Sequence, residues 1–332
     1  MPEQKFLVVR LGSLGDIVHA FPAVAALRDQ FPDAKIVWLT QGRWRDLVEA
    51  AGLANEVWEV DTRSLASIRH MRKKICDSQF SVAIDYQGLW KSAAMPFLAG
   101  VPRRIGFSSE NIREFGVPLL YTDRVKAGGA HVAQKNGELS LRAGAGKLIG
   151  EFSLAVPEAS KQVVSNVLRE AGIEKYVVLS PGGGWLSKCW PAERYGQLAQ
   201  RLHAEYGMKT VVNFGPGEES LAVRVTAAAG EANPLRHSAS FGDLMALLQA
   251  AHCAVAGDTG PMHLADALRT KVIAIFGPTD PVRNGPFLAK KIVLRAKNVD
   301  STYKREDAPH ASLLEISVDD VMNALRLSHV IS

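Results

Sequence analysis

Short β-branched runs alternate with helix-length segments in both halves of this chain, and no other feature constrains its fold as strongly. Phe6-Leu7-Val8-Val9 is apolar without alternation, as expected of a strand buried on both faces. A glycine turn follows, then a helix through Leu27. Strands are expected over 35–39, 56–60 and 81–85, separated by helices over 43–50 and 64–76. The second half repeats the scheme, with strands at 176–180, 209–213, 253–256 and 272–276. Helices start near Pro191, a residue suited to a first helical turn, and near Glu218, Phe241 and Gly260. Such alternation requires parallel strands joined by helical crossovers. The expected fold class is α/β: two Rossmann-like, doubly wound parallel-sheet domains over 1–155 and 172–315, facing a central cleft. The joint is expected near 150–172, and a closing helix within 316–330 is expected to pack back on the first domain. In such sheets ligands sit at the carboxyl ends of the strands.

Composition agrees with this size and class. A chain of 332 residues suits two domains of roughly 150 each. With 47% hydrophobic and 22% charged residues, disorder is excluded. No stretch approaches the ~20 apolar residues of a membrane span, and the N-terminus lacks a signal-peptide core, so a cytoplasmic protein is expected. Cys76, Cys189 and Cys253 lie far apart without a CxxC pair, which argues against disulfides and zinc. The net charge of +5 is unevenly spread: residues 1–150 hold 20 Lys/Arg against 15 Asp/Glu, the remainder 19 against 19. An anionic partner is therefore expected on the first half. No Lys/Arg stripe interleaved with aromatics is present, so nucleic acid is not an expected partner.

The loops after the strands carry the chemistry. Residues 10–16, Arg-Leu-Gly-Ser-Leu-Gly-Asp, bring Gly12 and Gly15 to a helix start; the spacing is not the dinucleotide fingerprint G-x-G-x-x-G. Asp16 reads either as an acid complementing the helix dipole or as a general base. Gly182, Gly183 and Gly184 form an expected anion-binding nest, with Lys188 in reach of a bound diphosphate. Thr259 and Gly260 open another helix toward an anion. Asp258 reads as an N-cap or as an acceptor for sugar hydroxyls, and His263 as a packed core residue or a ligand. Thr279 and Asp280 fit a functional loop or a Pro-rich turn equally well, and Glu218 or Glu219 could hold a ribose diol. No D-x-D triplet, G-x-S-x-G elbow or P-loop is present.

Taken together, residues 11–23, 85–92, 188–191, 257–263 and 277–281 resemble, in order, the motifs of glycosyltransferase family 9, the lipopolysaccharide heptosyltransferases. The opening loop and residues 85–92 look closest to the heptosyltransferase I type. The resemblance implies a GT-B architecture, with the acceptor on the N-terminal domain and the nucleotide-sugar on the C-terminal one. It implies inverting transfer of L-glycero-D-manno-heptose from ADP-heptose to the Kdo inner core of lipid A, without a metal or other cofactor. Asp16 would be the base, with Ser13 and Gly15 beside it at the acceptor. Lys188 would contact the donor, Asp258 its heptose hydroxyls, Thr259 with Gly260 the diphosphate, and Glu218 the ribose; Gly182, Gly183, Gly184 and His263 complete that side. Arg69, Arg72 and Lys73, with His70 and Lys74 on one helix, and Lys91 and Arg113 are the candidates for the anionic glycolipid acceptor. A monomer, peripheral on the inner membrane, is expected. Another nucleotide sugar on the same scaffold, or a nucleotide-sugar epimerase, are the alternatives.

Overall fold

The computed structural model describes residues 4–331. The chain divides between Ala155 and Val156 into two compact units, each built on one six-stranded sheet. The first unit contains β1 (Lys5–Val9), β2 (Lys35–Thr40), β3 (Glu56–Glu59), β4 (Val82–Asp85), β5 (Arg103–Phe107) and β6 (Asp123–Val125). The second contains β7 (Tyr176–Ser180), β8 (Lys209–Asn213), β9 (Leu235–His237), β10 (Cys253–Gly257), β11 (Val272–Phe276) and β12 (Lys291–Arg295). The orders are β3-β2-β1-β4-β5-β6 and β12-β11-β10-β7-β8-β9, with every pairing parallel. Counted within its own unit, the second sheet repeats the first: a doubly wound sheet whose strand order reverses between its first and fourth strands. The reversal lies between β1 and β4 in one unit and between β7 and β10 in the other.

The central strands are as apolar as the sequence requires. Phe6 to Val9 and Val272 to Phe276 are fully buried. Helices cover both faces, so unbroken apolar runs are the form that buries the sheet. The helix Leu65–Ser78 shows how the flanks differ. Ser64 caps it by accepting from the Ser67 amide at 3.2 Å, and only Met71 and Ile75, one turn apart, are buried.

Three expectations need correction. The helix after β1 is two helices, Leu14–Val18 and Phe21–Gln30, with the second opening at Pro22. The second unit begins at Val156 rather than at 172, because Glu158–Glu170 is a helix that packs on the helix Phe241–Ala250 of that unit. The closing helix Val318–Leu327 belongs to the second unit rather than to the first domain, where it is expected. It buries Val321, Met322, Ala324 and Leu325 beside the helix Ala192–Tyr206. Trp190 Nε1 donates to the Ile316 carbonyl at 2.9 Å, and Arg194 donates to the carbonyls of Leu313, Leu314 and Ile316. These bonds hold the terminal segment where its apolar stripe is covered.

Candidate active site

In the first unit the loop after β1 passes tightly against Trp44. Gly12 has φ +150°, and a Cβ there would fall 2.7 Å from Trp44 Nε1, so only glycine fits. Asp16 follows as the third residue of the helix Leu14–Val18. Its Oδ2 accepts from the Ser13 amide at 3.0 Å and from Ser13 Oγ at 2.9 Å, while Oδ1 pairs with Arg10 Nη2 at 2.6 Å. Arg10 is buried and also donates through Nη1 to the Tyr86 carbonyl. The carboxylate is thus oriented from two sides, yet its side chain is 42% exposed. Gly15 is buried inside the short helix, and Ser13 is exposed at its start.

The β4 loop supports this arrangement. Gln87 Oε1 accepts from the Leu11 amide at 2.8 Å, tying the two loops at the switch point together. Asp85, at the end of β4, is buried and accepts from Tyr121 Oη at 2.7 Å, Ser92 Oγ at 2.8 Å and the amides of Gln87 and Gly88 at 2.9 and 3.3 Å. Burial raises its carboxyl above the usual range despite these donors. Asp85 therefore shapes the 85–92 loop from within.

The basic candidates are spread out. Arg69, His70, Arg72, Lys73 and Lys74 are all exposed on Leu65–Ser78. Lys73 pairs with Asp77 at 2.6 Å, Lys74 lies 4.0 Å over the Trp58 ring, and Arg72 Nε donates to the Leu98 carbonyl at 2.9 Å. That helix leads from the loop after β3 back to the start of β4. Lys73 and Lys74 therefore lie toward the edge opposite Asp16, and the five do not converge there. Lys91 and Arg113 are exposed beyond the β4 loop.

In the second unit the predicted residues do converge. Ser180, Gly182, Gly183, Gly184, Asn213, Glu218, Thr259, Gly260 and Pro261 line a cavity of ≈ 160 Å³. A Cβ on Gly182 would lie 2.2 Å from the Glu218 carboxyl, so glycine there is what admits Glu218 to the cavity. Glu218 accepts from the Gly215 amide at 2.8 Å, whereas Glu219 is exposed and accepts from Gly217 at 3.3 Å; only Glu218 lines the cavity. Ser180, which the sequence reading passed over, is buried with its Oγ lacking a partner at the wall. Thr259 occupies the N-cap position of the helix Gly260–Ala267.

Asp258 is not that N-cap but the centre of a buried cluster. Its Oδ2 receives Lys188 Nζ at 2.6 Å and Thr279 Oγ1 at 2.8 Å, and His263 Nε2 stands 3.4 Å from Oδ1. Burial alone would raise the Asp258 carboxyl, but His263 and Lys188 outweigh it and hold it well below the usual carboxylate range. Thr279 is fully buried in this role, while Asp280 merely caps Pro281–Asn284 through the Val282 amide at 2.9 Å. Lys188 Nζ also lies 4.4 Å from the Trp185 ring centroid, and the Arg305 guanidinium lies 4.9 Å from the same centroid. The sequence offers Thr279 only as part of a functional loop or a turn, and assigns no role to Arg10 or Arg305; of these two, only Arg10 carries a signal, as a cation directly ending an apolar strand.

The family model for glycosyltransferase family 9 (heptosyltransferase) matches residues 68–311. Lipopolysaccharide heptosyltransferase 3 of Escherichia coli is 26% identical over 280 residues, which is 81% of this chain and 82% of that protein. Lipopolysaccharide heptosyltransferase 1 of Escherichia coli K12 is 26% identical over 307 residues, 88% of this chain and 93% of that one. The solved structure of the Escherichia coli ADP-heptose lipopolysaccharide heptosyltransferase II shares the fold, with a TM-score of 0.80, 22% identity and 98% of each chain covered. Types 1 and 3 match at the same identity, so the likeness to type I suggested by the loop motifs is not singled out.

Proposed function

The chain belongs to glycosyltransferase family 9, and on that premise we propose that it transfers L-glycero-D-manno-heptose from ADP-heptose to the Kdo inner core of lipid A. The observation that carries this reading is the Lys188–Asp258–Thr279 cluster beside a glycine-walled cavity at the strand-order reversal of the second sheet. A glycine-lined wall, a helix N-terminus and a nearby lysine suit a nucleoside diphosphate. Glu218 suits the ribose diol, and Asp258 suits the heptose hydroxyls.

The chemistry follows from these groups. The acceptor hydroxyl gives its proton to Asp16, and its oxygen bonds to the anomeric carbon from the face opposite the diphosphate. The bond from that carbon to the diphosphate breaks, the configuration inverts, and ADP leaves with the electron pair. Lys188 has three N–H donors, so it can keep Asp258 and still meet a diphosphate oxygen. With the amides opening the helix at Gly260, it counters the charge that develops on the leaving group. In this reading the reaction needs no metal. The acceptor is a glycolipid, so the reaction takes place at the cytoplasmic face of the inner membrane, reached by a monomer from the aqueous side. Among the described residues no helix is long and apolar enough to cross a membrane.

Calorimetric titration of the protein with ADP, UDP and GDP tests the donor assignment. ADP is expected to bind selectively, and Lys188→Ala to weaken that binding about tenfold or more, as for loss of a charge-assisted hydrogen bond. Selective binding of UDP or GDP would overturn the assignment of the sugar donor.

A further inference from the structure

The first unit has an apolar ridge that stays exposed among the described residues. It is formed by the helix Trp90–Leu98 and the turn that follows β5. Phe115 is 99% exposed, Leu119 69%, Leu98 55%, Trp90 48% and Phe97 42%. Trp90 and Phe97 lie seven residues apart and so share one helical face, the face that usually carries polar side chains. The turn is held against this helix rather than loose. The Trp90 amide donates to Glu114 at 2.6 Å, and the Trp90 ring lies over Gly116, 3.0 Å from where a Cβ would stand. Behind the turn, Val117 and Tyr121 are buried against Ala93. Phe115 and Leu119 are therefore displayed on a rigid mount.

Cations border the ridge. Arg104 stacks over Phe97 at 5.3 Å and donates to the Leu120 carbonyl at 2.8 Å. Arg72 is held at the Leu98 carbonyl, and Lys91 and Arg113 are exposed beside Trp90 and Phe115. The helix Leu65–Ser78, which carries Arg72, packs against the ridge helix. Isolated exposed apolar residues are ordinary, but five on one ridge, three of them aromatic and edged with Lys and Arg, are not. Rings that prefer the headgroup level, aliphatic side chains that enter the acyl boundary and cations that attract anionic lipid form one combination.

We propose that this ridge docks the first unit onto an anionic lipid bilayer, with Phe115 and Leu119 entering the acyl boundary. The excess of basic charge in residues 1–150 matches a negative surface, and the balanced second half does not. The position also fits a lipid-borne acceptor. The helix begins directly after the β4 loop, and Gln87 of that loop is bonded to Leu11 in the loop leading to Asp16. The inference rests on the proposed function only for the identity of that acceptor; the ridge itself is independent of it.

The test is flotation of the full chain with phosphatidylcholine vesicles, with or without phosphatidylglycerol and containing no acceptor. The wild type should float with the anionic vesicles, and added salt should weaken that association. Phe115→Ser combined with Leu119→Ser should lower the partition at least about tenfold, as loss of one buried large apolar side chain predicts. Both positions face solvent, so the thermal midpoint of the double variant should match the wild type. Nucleotide titration of the same samples reads the second unit separately, so a failed flotation with intact ADP binding contradicts the docking surface alone. Equal flotation of wild type and double variant would overturn the proposal. So would sedimentation velocity showing a lipid-free dimer that the double variant dissolves, since the ridge would then cover a second copy.

Discussion

Asp85 and Asp258 stand at corresponding places, where the fourth strand of each sheet ends, and both are buried. Their partners set them apart. Asp85 meets only neutral donors, and burial raises its carboxyl; Asp258 meets Lys188 and His263, which hold its carboxyl low. One organises a loop, and the other fixes a cation beside a ligand cavity. Asp258 binds its proton more weakly in the folded chain than an ordinary carboxyl does. Its contribution to stability is therefore present above about pH 4 and is lost as pH falls through the depressed value. Lys188→Met removes the closest cation and should destabilise the chain by about 3 kcal/mol at neutral pH, as for a broken buried pair. That deficit should shrink progressively as pH falls below about 4 toward the depressed value at which the wild-type Asp258 takes up its proton. Thermal melts across this range check the claim, and a deficit that grows on acidification would contradict it. Thr279 illustrates what sequence cannot reveal. Its neighbours Pro278 and Pro281 account for a turn, and only the fold brings its hydroxyl to Asp258, 21 residues away.

At the scale of elements, most strands legible in the sequence are buried on both faces; the edge strand β3, with Glu56 and Glu59 around Val57 and Trp58, is the exception. β1, β2, β7, β10 and β11 are apolar over most of their length, β8 holds Val211 and Val212 between polar ends, and β4 is apolar up to Asp85. The strands missed were β5, β6, β9 and β12. Three of these are edge strands, and all four contain charged or half-exposed residues such as Arg103, Arg124, Arg236 and Lys291. An edge strand has one neighbour and a wetter face, so the run that betrays a central strand is interrupted. The loops were legible for a different reason: glycine, Asp and Thr cluster where strands give way to helices. The 85–92 loop makes its own prediction. Asp85→Ala leaves Tyr121, Ser92 and two amides without their acceptor in a buried place, which should lower stability by about 3 kcal/mol or more. Chemical denaturation should show this as a lower midpoint, and an unchanged midpoint would mean that the loop does not depend on Asp85.

At the scale of the whole molecule, two units with one strand order hold different halves of the proposed chemistry. Asp16, Arg10 and Ser13 lie in the first; the cavity, Lys188 and Asp258 lie in the second. The sequence repeat made this duplication visible, while the placement of the terminal helix depended on Arg194 and Trp190 reaching across more than 100 residues. Because the halves are separate, a change in the first unit should stop transfer without touching the nucleotide. The most direct measurement is therefore heptose transfer from ADP-heptose to a Kdo–lipid A acceptor by wild type and Asp16→Asn, with ADP affinity measured on the same samples. The account predicts transfer by the wild type, a loss of ~10²–10⁴ in turnover for Asp16→Asn, and equal ADP affinity in the two. Turnover near the wild-type rate in Asp16→Asn would contradict the assignment of Asp16 as the base.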